Sequence, residues 1–192
     1  TVQTLSPLKH GQLKLTHAKF YRISGESTQN KGVMPDVSLP ALLDISEYGE
    51  SALDHALPWD TVNAVKGFSG LDLSKFYNNL RQLNEGRVQK LPDFKHMTSK
   101  ITYHSEQKEN TTISLNKTKY KSTLAAEKKW LIDAENKRRM ANNLPTIASL
   151  EELEEVLEKD NLGRPIDPSS KAILDESVRI LIDYKKLLQP KS

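Results

Sequence analysis

Cysteine is absent from the sequence, which removes disulfides, thiol nucleophiles and thiolate metal ligands from consideration. The absence leaves the compartment open, because oxidising compartments also hold cysteine-free proteins. There is no apolar run near the roughly 20 residues that span a bilayer, and no signal peptide is visible. A surplus of one charge sign is also lacking: 28 Lys and Arg against 25 Asp and Glu leave a formal net charge of +3. So small an excess does not point to nucleic acid as a partner. Apolar residues make up 36% of the chain and charged residues 28%, a polar balance that favours long solvated helices over a thick central core. Burial then depends on apolar stripes or on docking against something else. The length of 192 residues suits one sizeable domain or two small ones. The chain opens on Thr1-Val2-Gln3 without an initiator Met, as expected for a start inside a longer protein, and a missing signal on such a piece says nothing about the parent.

What is present changes texture along the chain. From Gln12 to Ile23 the residues alternate, with Leu13, Leu15, Tyr21 and Ile23 on one parity and Gln12, Lys14, Thr16 and Arg22 on the other. That period predicts a strand. Phe20 breaks it, so part of the strand is expected to be buried on both faces. Pro7 to Gly11 predicts a turn back to a shorter strand around Val2 to Leu5. A loop rich in turn formers follows, from Ser24 to Asp36. Two strands make no stable sheet alone, so they read as the edge of a larger one.

Beyond Pro40 the pattern is helical. Leu42 to Leu57 is mixed and ends at Pro58. Asp72 to Leu91 carries Phe76, Leu80, Leu83 and Val88 near helical spacing, with Gly86 a candidate interruption. Pro92 opens a segment striped by Phe94, Met97 and Ile101. Lys117 to Asn143 places Tyr120, Leu124, Leu131 and Ala134 on one side, with acid-before-base pairs Asp133–Lys137 and Glu135–Arg139. Asn142, Asn143 and Pro145 stop it. Ser149 with Glu152 predicts a capped helix over Leu150 to Lys159. Asn161 to Pro165 breaks the chain. The last helix, about Pro168 to Leu188, has Leu174, Val178, Leu181, Ile182 and Leu188 on one stripe. The fold class predicted is α+β, mainly α.

No self-contained active site emerges from residue types alone. Gly25-Glu26-Ser27-Thr28-Gln29 lacks the second glycine of a nucleophile elbow, so Ser27 reads as a loop or cap residue. His10, His17, His55, His96 and His104 are scattered without metal-ligand spacing, and no metal site is predicted. The acidic run Glu151 to Glu155 and the basic run Lys137-Arg138-Arg139 suit the two ends of helix dipoles. Asn110-Thr111-Thr112 and Asn116-Lys117-Thr118 match glycosylation sequons, which arise often by chance.

Two blocks carry a resemblance. The stretch from Gly11 to Gln29, including Lys19-Phe20-Tyr21-Arg22 and Ser27-Thr28-Gln29, followed by Gly32-Val33-Met34-Pro35-Asp36, resembles the end of the peptidase domain in tail-specific (carboxyl-terminal processing) proteases. Ala56-Leu57-Pro58-Trp59-Asp60 resembles the segment that begins that family's C-terminal domain. The remainder resembles the family's lysine- and glutamate-rich helical domain more loosely. These are serine peptidases with a Ser–Lys dyad. The resemblance implies residues 1–40 as the end of the peptidase core and 41–192 as the helical C-terminal domain.

The resemblance also implies chemistry. The family's general-base lysine lies in a Gly-Lys-Gly-Thr-Val-Gln segment, which Thr1-Val2-Gln3 continues, so lysine and serine are expected upstream of this chain together with a PDZ domain. Gln3 then matches the third member of a Ser–Lys–Gln set. Positions four apart on a strand share a face. A neutral carboxamide oxygen there can accept from the lysine amine and aim it without the negative charge that would keep it protonated. The implied parent is a periplasmic serine endopeptidase, free or associated with the inner membrane, that needs no cofactor and acts on proteins recognised by nonpolar C-terminal tails. The chain alone is expected to be inactive. A different reading makes residues from about 61 onward a non-catalytic helical docking module for the peptidase core or an adaptor protein. Self-association through the unpaired strands is a further expectation.

Overall fold

A computed structural model describes residues 2–4, 14–16, 18–42, 45–68, 70 and 72–189, with the side chains of 2–4, 14–16, 45 and 46 outside that description. The chain forms two compact units, one from Thr1–Asp36 and Leu43–Asp72, the other from Val37–Leu42 and Leu73–Ser192. The architecture is mainly helical with a two-stranded sheet.

In the first unit, β1 (Val2–Thr4) pairs antiparallel with β2 (Lys14–Thr16), placing Gln3 opposite Leu15. The turn expected at Pro7 to Gly11 lies outside the described residues. The predicted strand does not continue to Ile23. Residues 18–20 are irregular, and Tyr21 makes an isolated bridge with Ser27 around a tight turn. Gly25 N donates to Arg22 O, and Arg22 N to Glu26 O. Gly25 sits at φ +85°, which ends the extended run that alternation alone suggested. Phe20 is 69% exposed, against the expected burial on both faces. The stretch Leu42 to Leu57, mixed in sequence, carries two short turns: α1 (Ile45–Tyr48) and a 3-10 turn (Glu50–Ala52).

The second unit is built from α2 (Ser74–Val88), α3 (Pro92–Lys108), α4 (Lys117–Ala141), α5 (Leu150–Val156) and α6 (Pro168–Leu188). Proline at the first turn of α3 and α6 sets φ where its missing N–H is not needed. Asp167 caps α6 by accepting from Ser169 N. Gly86 does not interrupt α2. The core is small: Phe94, Met97 and Ala172, with Leu39, Leu42, Val88, Leu91, Ile101 and Ile173 against them. Asn84 Nδ2 donates to Ser38 O and ties residues 37–42 to α2.

Two helices present faces other than the sequence suggests. All of residues 117–129 in α4 are exposed, Tyr120 and Leu124 included. The helix packs through its second half, where Trp130 stacks on Tyr103 with ring centroids 3.8 Å apart. In α6 the buried side chains are Ser169, Ala172 and Glu176, while Leu174, Val178, Leu181, Ile182 and Leu188 are each about half exposed or more.

Candidate functional site

Asp60 gathers the first unit. Its Oδ2 accepts from Tyr21 Oη at 3.1 Å and from Lys19 Nζ at 3.3 Å, and its carbonyl oxygen accepts from Ser27 N at 3.0 Å. Desolvation, joined by the hydrogen bond to this carboxylate, holds the Tyr21 phenol above its ordinary pKa. Next to Asp60, Thr61 bridges Glu26, Val62 N donates to Gly25 O and Val65 N to Ile23 O. Residues 60–65 therefore run antiparallel along 23–27. A Cβ on Gly25 would stand 2.1 Å from Val62 O, so glycine permits the approach. Glu50 closes the other side of the loop, accepting from Gln29 Nε2 and from Asn30 N. Lys31 Nζ lies 3.9 Å over the Trp59 ring. The two blocks Lys19-Phe20-Tyr21-Arg22 and Pro58-Trp59-Asp60 are thus in contact, a pairing across some forty positions that no local pattern announces.

Ser27 is buried, and its Oγ accepts from Gln29 N at 3.0 Å, the geometry of a side-chain turn. Gln3 is held by the β1–β2 register; its carboxamide is outside the described side chains. His10 and His17 also lie outside them, and His55 and His104 are exposed. Among the described residues no group of three or more His, Asp or Glu is placed to hold a metal ion, and no helix is long and apolar enough to cross a membrane.

The second unit is stitched by buried charge. Arg138 donates Nε and Nη2 to both oxygens of Glu135, at 2.9 and 2.6 Å, and Nη1 to Asp93 at 2.7 Å. These bonds raise the guanidinium pKa against the opposing effect of burial. Arg139 is 3.8 Å from Glu135 and gives Nε to Pro145 O. Arg138 and Arg139 stand in the last turn of α4, as the helix-end reading expects, and both are in addition buried ion-pair partners. His96 Nδ1 donates to Ala134 O, and burial pushes its pKa down although Glu135 lies 3.7 Å from Nε2. Asn136 clamps the loop after α4 from both sides, donating to Ile147 O and accepting from Ile147 N at 2.8 Å each.

An open groove of about 460 Å³ between α3 and α4 is lined by Lys95, His96, Ser99, Trp130, Asp133 and Lys137 among others. Ser99 spends its hydroxyl on Lys95 O of the previous turn, so the groove presents charge without a nucleophile–base pair.

The family described as the C-terminal domain of tail specific protease matches residues 43–186. A tail-specific protease of Haemophilus influenzae is 36% identical over 114 residues, covering 58% of this chain and 16% of that protein. The chain thus spans under a fifth of that relative's length.

Proposed function

Because this chain belongs to the family of C-terminal domains of tail-specific proteases, we propose that it is the C-terminal part of a periplasmic serine endopeptidase, a hydrolase of proteins recognised by nonpolar C-terminal tails. Serine attacks the scissile carbonyl, an upstream lysine takes the proton, and Gln3 aims that lysine. A lysine can do this only while neutral, so a neutral carboxamide suits the role better than a carboxylate. The observation that carries the reading is the family match over 43–186. It is supported by the Asp60 contacts, which join the block resembling the peptidase end to the block resembling the start of the C-terminal domain.

Two assays test it. The purified chain, lacking serine and lysine partners, leaves a tail-bearing protein substrate intact, and hydrolysis by a preparation free of other proteases would overturn that. In the full-length protease, Gln3→Ala lowers kcat roughly 10²-fold or more with an unchanged circular dichroism spectrum. Wild-type turnover in the variant would remove Gln3 from the mechanism.

A second reading rests on the exposed apolar residues of α4 and α6. The helical unit then acts as a docking module, for the peptidase core or an adaptor protein, and the Gln3 variant leaves that role untouched.

A further inference from the structure

The positive surplus of the chain is concentrated on one arm. Every residue in 104–129 is exposed, which takes in the end of α3, the loop after it and the first half of α4. The Tyr103–Trp130 stack closes the packed part of the two helices, and the arm extends beyond it. Residues 110–129 hold five lysines, Lys117, Lys119, Lys121, Lys128 and Lys129, against the single carboxylate of Glu127. That surplus of four exceeds the net +3 of the whole chain, so the rest of the molecule is very nearly neutral. None of the five makes an ion pair among the described residues. Lys117 and Lys121, four apart on α4, set like charges on one face, which weakens a helix. Lys128 continues their line, and Tyr120 and Leu124, both exposed, run beside it. Just ahead of the lysines, at the tip of the arm, Ile113 is 71% and Leu115 98% exposed.

We propose that this arm docks the protein on an anionic phospholipid bilayer, with Ile113 and Leu115 entering the acyl boundary and the lysines lying among the headgroups. Charge complementarity calls for an anionic partner. Two observations favour a bilayer over an acidic protein. The first is the kind of cation. No arginine occurs in residues 104–129, although the chain has arginines elsewhere. A protein carboxylate is matched best by the planar fork of arginine, whereas a diffuse sheet of phosphate charge attracts a point-charged ammonium on a flexible stem equally well. The second is the tip. Two aliphatic side chains standing clear of any groove need no shaped pocket in fluid hydrocarbon, and the lysine stems beside them can snorkel to the headgroups. Tyr120 suits the boundary between the two, where a ring with a polar end is favoured. Two inserted side chains and a handful of cations give reversible attachment rather than a permanent anchor. The docking needs neither Gln3 nor an upstream serine, so its failure would leave the protease reading intact.

Co-sedimentation with lipid vesicles tests the docking on the 192-residue chain and on the full-length protease. Both should pellet with vesicles of phosphatidylglycerol and phosphatidylcholine in equal parts, and stay in solution with phosphatidylcholine alone. Lys117→Gln combined with Lys121→Gln should weaken the partition at least tenfold, since each lysine near an anionic surface contributes roughly fivefold. Raising the salt to about 0.5 M should act in the same direction. Leu115→Ser should weaken binding severalfold at unchanged charge. These three sites are exposed and outside the core, so the circular dichroism spectrum should not change. No binding to the anionic vesicles overturns the proposal. So does binding that the lysine variants leave unchanged, which would place the contact elsewhere on the chain. Capture of soluble polyglutamate in place of vesicles would overturn it in favour of an acidic protein partner. Binding by the chain but not by the full-length protease would overturn it by showing the arm covered in the whole molecule. Indifference to Leu115→Ser alone would overturn the insertion of the tip.

Discussion

Glu176 Oε1 lies 2.7 Å from Arg87 Nε, with the glutamate side chain fully buried and the arginine a quarter exposed. Arg87 also binds Asp183, and these hydrogen bonds keep its pKa raised although burial opposes the charge. Removing the cation leaves one buried carboxylate with only a 3.5 Å contact to Arg179. Arg87→Ala should therefore cost about 3–5 kcal/mol of stability, the range for stranding a buried charge. The shift of the urea midpoint at unchanged slope measures it. A loss under about 1 kcal/mol would mean that the pair behaves as a solvated one.

His96 gives the second unit a pH dependence. Its folded pKa lies below the ordinary 6.5 because burial disfavours the imidazolium. Above 6.5 neither state is protonated there. As pH falls below it, the unfolded chain takes up a proton that the folded chain refuses, and stability is lost down to the folded pKa. Between about pH 7.5 and pH 5.5 the melting temperature should fall further for the wild type than for His96→Gln. Parallel falls would show that His96 does not titrate differently in the two states.

Gly25→Ala should loosen the first unit. The left-handed φ alone costs of order 1–3 kcal/mol in a non-glycine residue, and the new Cβ meets the Val62 carbonyl. Amide exchange at Ser27 and Val62, whose N–H groups bond across this contact, should accelerate at least tenfold. Unchanged exchange there would show that the backbone relaxes around the methyl.

Ser149→Ala removes the oxygen that accepts from Glu152 N at 3.1 Å. A helix of seven residues has little else at its start, so about 1 kcal/mol should be lost. Glu152 answers the cap by accepting from Ala148 N at 2.7 Å. Glu152→Ala should accordingly cost less than the serine variant but more than Glu154→Ala, whose side chain has no capping position. Equal midpoints for all three would remove the reciprocal cap from the account.

Helix limits were legible where a local cause sets them. Pro92, Pro168, Ser149 and the Asn142–Asn143 stop lie where α3, α6, α5 and α4 begin or end. Asn143 adopts φ +56°, the left-handed value that terminates a helix. Gly86 was a weaker cue, because one glycine costs only about 1 kcal/mol inside a helix. Which face of a helix is covered was not legible. The stripe of α6 was identified correctly as a stripe, but Arg87, about ninety positions away, turns Glu176 inward instead. Arg138 is a helix-end cation as its position suggested, but its contact with Asp93, forty-five positions earlier, was not legible. The alternation through Tyr21 failed for a different reason. Period two describes any extended stretch, and it cannot report that Gly25 folds the chain back. The Asp60 cluster was missed as geometry, although both of its sequence blocks stood out by resemblance.

The sequence has two tryptophans, and they occupy unlike surroundings. Trp59, in the first unit, has an ammonium over its indole, while Trp130, in the second, lies flat on a phenol ring. Each unit thus carries a separate optical reporter. With Trp59→Phe or Trp130→Phe, the remaining fluorophore follows the melting of its own half, and any lag between the two traces becomes directly visible.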